Sequence, residues 1–307
     1  MATITAALVK ELRDKTSAGM MDCKKALTEC DGDLEAAIDW LRKKGIAKAD
    51  KKAGRIAAEG LVAMSLAGTK GALVEVNSET DFVARNEEFQ GAVAEIAALA
   101  VDNSDFDSLK GAQTAAGVSV GDHLTNLVGK IGENMSLRRV SAQSVGNGVV
   151  AGYIHNSVTD GMGKIGVLVA LESDGDADKL NELGKKIAMH IAATNPLALN
   201  VNDLDSAVVA KERDMLAAEA RESGKPENII EKMVEGRMTK FFKESVLTTQ
   251  IFVMDGERSI AQVVANEAES LGTDITLAGY SRMELGAGIE KKEEDFAAEV
   301  AAAVAGA

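Results

Sequence analysis

Apolar residues in the first fifty positions recur at helical spacing and predict three short helices. Ile4, Leu8 and Leu12 lie four residues apart, so they share one face of the first helix. The apolar pattern of the third helix ends at Gly45, where we expect the helix to stop. Residues 1–46 are therefore predicted to form a three-helix module.

The second helix of this module contains both cysteines of the chain. Met20, Cys23, Leu27 and Cys30 fall on one apolar face, at offsets of three, seven and ten residues. We expect both thiols to be buried and reduced. Two cysteines are too few for a disulfide framework or a four-ligand zinc site, and this usage favours a cytoplasmic protein.

Further along, two pairs of apolar runs predict a repeated unit made of an antiparallel hairpin and a helix. The runs at 61–66 and 72–76 flank a glycine-containing turn and precede a helix that begins near Glu87. The runs at 149–155 and 165–171 are followed in the same way by a helix. The same order of two strands and a helix therefore occurs twice, which indicates a core made of two copies of one unit.

Four identities at a constant offset of 95 residues support the repeat. They pair Gly71, Leu73, Val74 and Ser78 with Gly166, Leu168, Val169 and Ser173. The copies diverge directly afterwards, since residues 79–83 are ETDFV whereas residues 174–176 are DGD. A corner at which a repeated scaffold diverges is a candidate functional site.

Residues 207–242 predict an arm of two antiparallel helices, with Gly224 and Pro226 at the break between them. The predicted apolar seam joins Ile230, Val234, Met238 and Phe241 of one helix to Val208 and Met215 of the other. Because a two-helix hairpin has little core, the seam leaves open homodimerisation through the arm. Strands are predicted downstream at 247–254 and 275–283.

The whole pattern predicts an α+β protein with an N-terminal three-helix module similar to ubiquitin-associated domains, a duplicated antiparallel hairpin-plus-helix core, an inserted helical hairpin arm and a C-terminal helix. The predicted boundaries are 1–46 for the module, 47–58 for a linker, 59–143 for core subdomain 1, 144–196 with 245–285 for core subdomain 2, 197–244 for the arm, and 286–307 for a C-terminal helical module whose helix begins near Lys292.

Charge and composition narrow the classes of partner. The chain has 48 acidic and 34 basic residues among 307, a net charge of −14, which repels the phosphate backbone of a nucleic acid. Its apolar runs are far shorter than the roughly 20 residues needed to cross a bilayer, and no secretory signal is visible. We expect no nucleic-acid partner, no membrane insertion and a cytoplasmic location.

No catalytic or cofactor-binding constellation is evident in the sequence. Residues 161–166 fit the dinucleotide fingerprint, but a strand follows where phosphate binding requires a helix N-terminus, so we expect a hairpin loop. Asp174, Asp176 and Asp178 have calcium-loop spacing but lack the glycine and the final carboxylate of such a loop. His190 lies on an apolar helix face and is predicted to be a buried core imidazole. We expect neither a metal nor a cofactor.

The remaining candidate is the corner formed by Thr80, Asp81, Phe82 and Val83, which follows a strand and precedes a helix. The pattern alone leaves two interpretations open. In one, Asp81 caps the helix and Phe82 packs in the core. In the other, the corner carries the function.

Two long motifs bear on this choice. Residues 12–27, LRDKTSAGMMDCKKAL, and residues 75–84, EVNSETDFVA, closely resemble the two signatures of the bacterial elongation factor Ts family. The segments 187–191, IAMHI, and 232–237, KMVEGR, agree with it, and the resemblance extends over essentially the whole chain. Departures are local, such as Ser17 where the family commonly has Gly, and none alters the TDFV sequence.

The resemblance implies a guanine-nucleotide exchange factor, not a covalent enzyme, that acts on the translation GTPase elongation factor Tu. It implies that Phe82 wedges between helices of the partner's nucleotide domain. It also implies that Asp81 disturbs the surroundings of the bound Mg²⁺, with Thr80 and Val83 in the same partner-binding site.

Two further contacts follow from the same resemblance. Leu12, Met20 and Met21 are expected to dock on a partner helix, and His155 is expected to meet a different partner domain. Two other classes of function stay open. A pure binding module would share the three-helix N-terminus without needing the corner, and a small-molecule enzyme would need a pocket with perturbed titratable groups.

Overall fold

A computed structural model describes residues 4–16, 18–222 and 224–290. Its helices are α1 Ala6–Thr16, α2 Met20–Glu29, α3 Leu34–Asp50, α4 Glu87–Ala100, α5 Phe106–Gly111, α6 Val120–Ile131, α7 Ala177–Thr194, α8 Ser206–Glu222, α9 Glu227–Ser245 and α10 Ile260–Leu271. Its strands are β1 Glu59–Ala67, β2 Lys70–Ser78, β3 Met135–Ser144, β4 Gly148–Thr159, β5 Met162–Glu172 and β6 Thr276–Glu284. The α+β class is confirmed. The helix predicted near Lys292 lies outside the described residues.

The prediction that the third helix stops at Gly45 is wrong, because α3 continues to Asp50. Gly45 instead marks a close crossing between helices. A side chain added at Gly129 of α6 would begin 3.1 Å from the Cα of Gly45, so the absence of a side chain at Gly129 lets α3 and α6 approach each other. This contact attaches the three N-terminal helices to the core.

All six strands form one antiparallel sheet. The order is β3-β2-β1-β5-β4, and β6 pairs with β5. Direct strand pairing between the two hairpins is limited to Val62 with Gly163 and Ala63 with Met162, beside which Met64 N–H donates to the Gly161 carbonyl at 2.9 Å. The predicted hairpins are confirmed, as is the strand at 275–283, but residues 247–254 form a short 3-10 turn and loop instead of a strand. Strand β3 is not predicted by the sequence pattern, because its alternation of apolar and polar residues changes phase at Arg138 and Arg139, where the register with β2 also shifts.

The loop predicted at 161–166 is also shorter than expected. β4 and β5 extend to Thr159 and from Met162, so only Asp160 and Gly161 form the turn, with Gly161 at φ 69°. A strand does follow this turn, so the turn offers no helix N-terminus to a dinucleotide.

Backbone irregularities recur in the two hairpins at equivalent positions. Gly60 and Gly148 have φ of 119° and 116°, and a Cβ at either would lie 2.2 or 2.1 Å from a carbonyl oxygen of the paired strand. The register shifts between β2 and β3 at Glu75, and between β5 and β6 at Ala170, which lies 95 residues later.

The two halves of the sheet pack face to face through reciprocal contacts. A Cβ at Gly71 would lie 2.8 Å from Val150 Cγ1 and 3.2 Å from Leu168 Cδ2. A Cβ at Gly166 would lie 2.8 Å from Val62 Cγ1 and 2.7 Å from Leu73 Cδ2. Since both glycines need the absence of a side chain, the halves approach closely here, and α4 and α7 cover their outer faces.

Glu75 is a fully buried carboxylate at the end of this interface. Gly286 N–H and Asn77 Nδ2 donate to its Oε1 at 2.8 and 3.0 Å, and Arg139 Nε donates to Oε2 at 2.5 Å. Arg138 Nη1 donates to both oxygens at 3.0 and 3.1 Å. Burial alone would raise the pKa of Glu75, but the hydrogen bonds from Gly286, Asn77 and Arg139 hold this pKa below its ordinary value.

His190 is a buried core imidazole, as predicted. Val253 N–H donates to its Nδ1 at 3.3 Å, so Nε2 carries the proton and donates to Gln250 Oε1 at 2.9 Å. Gln250 Nε2 donates to the Glu244 carbonyl at 2.7 Å, which ties the end of α9 to α7. Burial lowers the pKa of His190, and the hydrogen bond to Gln250 only partly offsets this effect.

The two arm helices, α8 and α9, pack on each other as predicted, but one side of the seam differs. Ile230, Val234 and Met238 are buried on α9, whereas Val208 and Met215 of α8 are 40 % and 48 % exposed. The face of α8 that turns inward is shifted by one residue. It contains Val209, Leu216 and Ala220, which follow helical spacing just as well.

We predict that Glu75→Gln lowers the free energy of unfolding by about 2 kcal/mol at pH 7. The cost stays below the 3–5 kcal/mol of a fully buried broken pair, because Arg138 and Arg139 keep part of their surface in water. The folded-state pKa lies below the unfolded value of 4.5, so this stabilisation is complete above pH 4.5 and is lost as the pH falls through the folded-state pKa.

Urea titrations of both proteins between pH 7 and pH 3 measure this difference. Glu182→Gln is the matched control, because Glu182 accepts from Lys186 on the exposed face of α7 and its loss should not change stability measurably. Equal stability of wild type and Glu75→Gln at pH 7 would contradict the prediction.

Candidate partner interface

The candidate site lies where β2 ends at Ser78 and the chain turns toward α4. Every polar group of Thr80 has a partner there. Its N–H donates to Glu133 Oε2 at 2.9 Å and its Oγ1 donates to Glu133 Oε1 at 2.7 Å. Its carbonyl accepts from Ser78 Oγ at 2.9 Å. Thr80 is half-buried and firmly held.

Beyond Thr80 the chain presents an aromatic ring to solvent. Phe82 is 76 % exposed, and Asp81 beside it is also exposed. The next residue, Val83, is only 4 % exposed and belongs to the core under α4. The interpretation of Phe82 as a core residue and Asp81 as a helix cap is therefore wrong. Asn86 caps α4 by accepting from two backbone N–H groups of its first turn.

The corner, together with Glu79 just before it, is attached to a second turn, residues 132–134, which joins α6 to β3. Glu79 Oε1 accepts from Asn134 N–H at 2.5 Å, and Asn134 Nδ2 donates to the Arg55 carbonyl at 2.8 Å. Arg55 Nη1 in turn lies 3.3 Å from Glu79 Oε2. The segment that leads from the N-terminal helices into β1 thus meets the corner.

The N-terminal residues predicted to contact a partner occupy different environments. Met20 and Met21 are 57 % and 76 % exposed on α2, where they form an apolar surface. Leu12 is fully buried in the core of the three helices, so its side chain is not exposed for contact with a partner. Of the two thiols, Cys23 is buried as predicted, but Cys30 is only partly buried because it lies just beyond the end of α2.

His155 lies on β4, in the other half of the sheet. Its ring is exposed, and its Nδ1 lies 3.1 Å from the Tyr153 hydroxyl. The two rings are 6.0 Å apart. Because Tyr153 and His155 are two residues apart on a strand, their side chains lie on the same face.

The described residues contain no group of three His, Cys, Asp or Glu side chains placed to hold a metal ion. No described helix combines the length and the apolar character needed to cross a membrane.

Phe82 and Met21 are the most exposed large apolar side chains of the described residues, each with 76 % of its surface in solvent. Exposed apolar side chains of this size are typical of surfaces that bind another protein.

Sequence patterns could not reveal Glu133 as part of this site. It lies 53 residues from Thr80, in a turn between a helix and a strand, and a lone half-buried glutamate there resembles any surface carboxylate. Only the folded backbone brings its two oxygens to Thr80.

We predict that Phe82→Ala changes the free energy of unfolding by less than about 0.5 kcal/mol, because its ring is already in water. Phe89→Ala provides the contrast seven residues later. Phe89 is fully buried on the inner face of α4, so its truncation should cost about 3–5 kcal/mol. Thermal and urea unfolding compare the two variants. A large loss of stability in Phe82→Ala would show that the ring packs in the core.

Comparisons with known proteins agree with one another. Residues 79–287 match the family model described as Elongation factor TS. The chain is 62 % identical to Elongation factor Ts of Maricaulis maris (strain MCS10), with 99 % of both chains covered. It is 59 % identical to Elongation factor Ts of Sphingopyxis alaskensis, again over 99 % of both, and 58 % identical to that of Rhizobium etli (strain CIAT 652) over the full length of both. The chain belongs to the elongation factor Ts family.

Proposed function

We propose that this chain is a guanine-nucleotide exchange factor for elongation factor Tu and that it promotes GDP release without covalent chemistry. The observation that carries the proposal is the exposed ring of Phe82, presented by a corner whose flanking residues are hydrogen-bonded or buried. Family membership supplies the partner. As a translation factor the chain would act in the cytoplasm.

Exchange of this kind follows from thermodynamic linkage, because the exchange factor and GDP are two ligands of the same GTPase. A factor that binds the nucleotide-free GTPase more tightly than the GDP-bound form must weaken GDP binding by the same ratio. Each 1.4 kcal/mol of difference changes the affinity tenfold. The factor therefore needs contacts that only the nucleotide-free partner can accept.

Phe82 is suited to supply such a contact. Its exposed ring would bury enough apolar surface in a groove of the partner to contribute about 3 kcal/mol, or about a hundredfold in affinity. If that groove opens only when the nucleotide domain is distorted, this free energy is unavailable to the GDP-bound form. The ring then acts as a wedge.

Asp81 adds an electrostatic component to the same corner. Its exposed carboxylate lies next to the ring and would enter the partner with it. A negative charge brought near the Mg²⁺ site competes with the phosphates and disturbs the ion's coordination. Loss of Mg²⁺ removes the main charge that neutralises the phosphates of GDP, so nucleotide affinity falls. Thr80 and Val83 hold the corner from the protein side.

Two further surfaces would give affinity. Met20 and Met21 form an exposed apolar pair that fits a helix of the partner, and buried Leu12 supports the helices that present them. His155 on β4 would contact another domain of the partner.

The proposal also includes the architecture of the chain: a three-helix module, a duplicated core and an inserted arm. The reciprocal contacts of Gly71 and Gly166 support the duplication.

We predict that Phe82→Ala lowers the rate of GDP release from elongation factor Tu, at saturating factor, by about a hundredfold. Stopped-flow fluorescence with labelled GDP measures this rate. Phe106→Ala is the control, because Phe106 is also an exposed phenylalanine but begins α5 and is not part of the corner. A folded Phe82→Ala protein with the wild-type release rate would rule out the wedge.

We also predict that the arm is separable from exchange. Replacing residues 211–238 by a short Gly/Ser linker removes a cluster whose packing is internal to α8 and α9, and it keeps the Gln250 contacts at the arm's base. The saturating release rate should stay within about twofold. Self-association or partner affinity should weaken more, because the replacement removes the exposed apolar side chains of Met215 and Ile229.

Light scattering and release kinetics test this pair of expectations. Collapse of the saturating rate in a folded variant would place the arm in the mechanism.

A further inference from the structure

We propose that Glu133 is a positioning residue for exchange, a role that rests on the proposed function: it fixes the corner so that Phe82 points in one direction. Its two carboxylate oxygens accept the two donors of Thr80, the backbone N–H at 2.9 Å and the hydroxyl at 2.7 Å. Only Asp81 separates Thr80 from Phe82. In this role Glu133 acts on Phe82 through its hydrogen bonds to Thr80.

The turn that carries Glu133 is itself held in place. Glu133 follows Gly132, which ends α6 in the left-handed conformation with φ 90°, and precedes Asn134. Asn134 N–H donates back to Glu79 at 2.5 Å. The two segments are therefore cross-linked twice, with one carboxylate from each. Such a reciprocal arrangement restricts both segments more than a single hydrogen bond would.

The two hydrogen bonds from Thr80 to Glu133 form a clamp, and the corresponding corner of the other half lacks it. The residue 95 positions after Thr80 is Gly175, and the position of Phe82 corresponds to Ala177. β3 pairs with β2 in the same register as β6 pairs with β5, and extending this match beyond the strands makes Thr273 the counterpart of Glu133. That half still forms its hairpin and helix, so the fold does not require a carboxylate here. The clamp occurs at the corner that carries an exposed ring.

The clamp favours exchange by ordering the corner before the partner binds. An apolar ring that must enter a groove loses conformational freedom on insertion, and a mobile corner would lose more. Misplacement of a group by about an ångström can cost a large factor in rate. We expect loss of the clamp to reduce the saturating release rate about tenfold, while the contacts of Met20 and Met21 maintain affinity.

Three variants of the full chain test this role. Glu133→Ala removes both acceptors. Glu133→Gln keeps them in part, since its oxygen can accept from Thr80 N–H and its amide can donate to Thr80 Oγ1. Glu95→Ala is the matched control, because Glu95 Oε1 also accepts a distant backbone N–H, that of Ala115, at 2.5 Å and lies away from the corner.

Two measurements are made on each variant. The first is amide hydrogen exchange of Thr80 by NMR in the absence of a partner. The second is GDP release from elongation factor Tu over a range of factor concentrations, which separates the saturating rate from the half-saturating concentration.

We expect Glu133→Ala to speed Thr80 amide exchange about tenfold and to lower the saturating rate about tenfold, with the half-saturating concentration within about threefold of wild type. Glu133→Gln should restore most of both properties, and Glu95→Ala should change neither. A Thr80 amide that stays protected in Glu133→Ala overturns the proposal. So does a freed amide with an unchanged saturating rate, or a rate that falls only in proportion to the folded fraction.

The proposed function can fail separately. If the wild-type chain does not accelerate GDP release, the exchange proposal is wrong and the positioning role falls with it. The amide measurement would still establish whether Glu133 holds Thr80.

Discussion

Close approach of the two half-sheets is the constraint on which the rest of the molecule depends. Gly71 and Gly166 leave room for valine and leucine side chains of the opposite half, and no larger residue fits without displacing them. Because the inner faces are filled in this way, α4 and α7 must cover the outer faces, and the corners at the strand ends are left at the surface. The buried Glu75 network closes the same interface where β2 approaches the corner.

Much of this arrangement could be predicted from local patterns. Short apolar runs on either side of Gly68 and helical spacing after Glu87 specify their elements almost alone, so the first hairpin and α4 appear where the sequence indicates. The α+β class follows from their order. The corner was identified by divergence between the two units and by resemblance, whereas its pattern could not decide whether Phe82 was buried or exposed.

What sequence could not supply depends on contacts between distant residues. Gly45 ends a local apolar pattern, yet α3 continues to Asp50, and Gly129 of another helix lies against it. Val208 and Val209 fit the arm seam equally well by spacing, and packing against α9 selects Val209. Glu133 contacts Thr80, which lies 53 residues away in the sequence. The family resemblance implies that Leu12 contacts a partner, but the packing of the three N-terminal helices buries its side chain.

Linkage makes the central claim accessible to one equilibrium measurement. Isothermal titration calorimetry can compare the affinity of the chain for elongation factor Tu loaded with Mg²⁺ and GDP and for the nucleotide-free form. An exchange factor that acts through the Phe82 corner must bind the nucleotide-free form more tightly, by about a hundredfold or more. Equal affinities for the two forms would contradict the account.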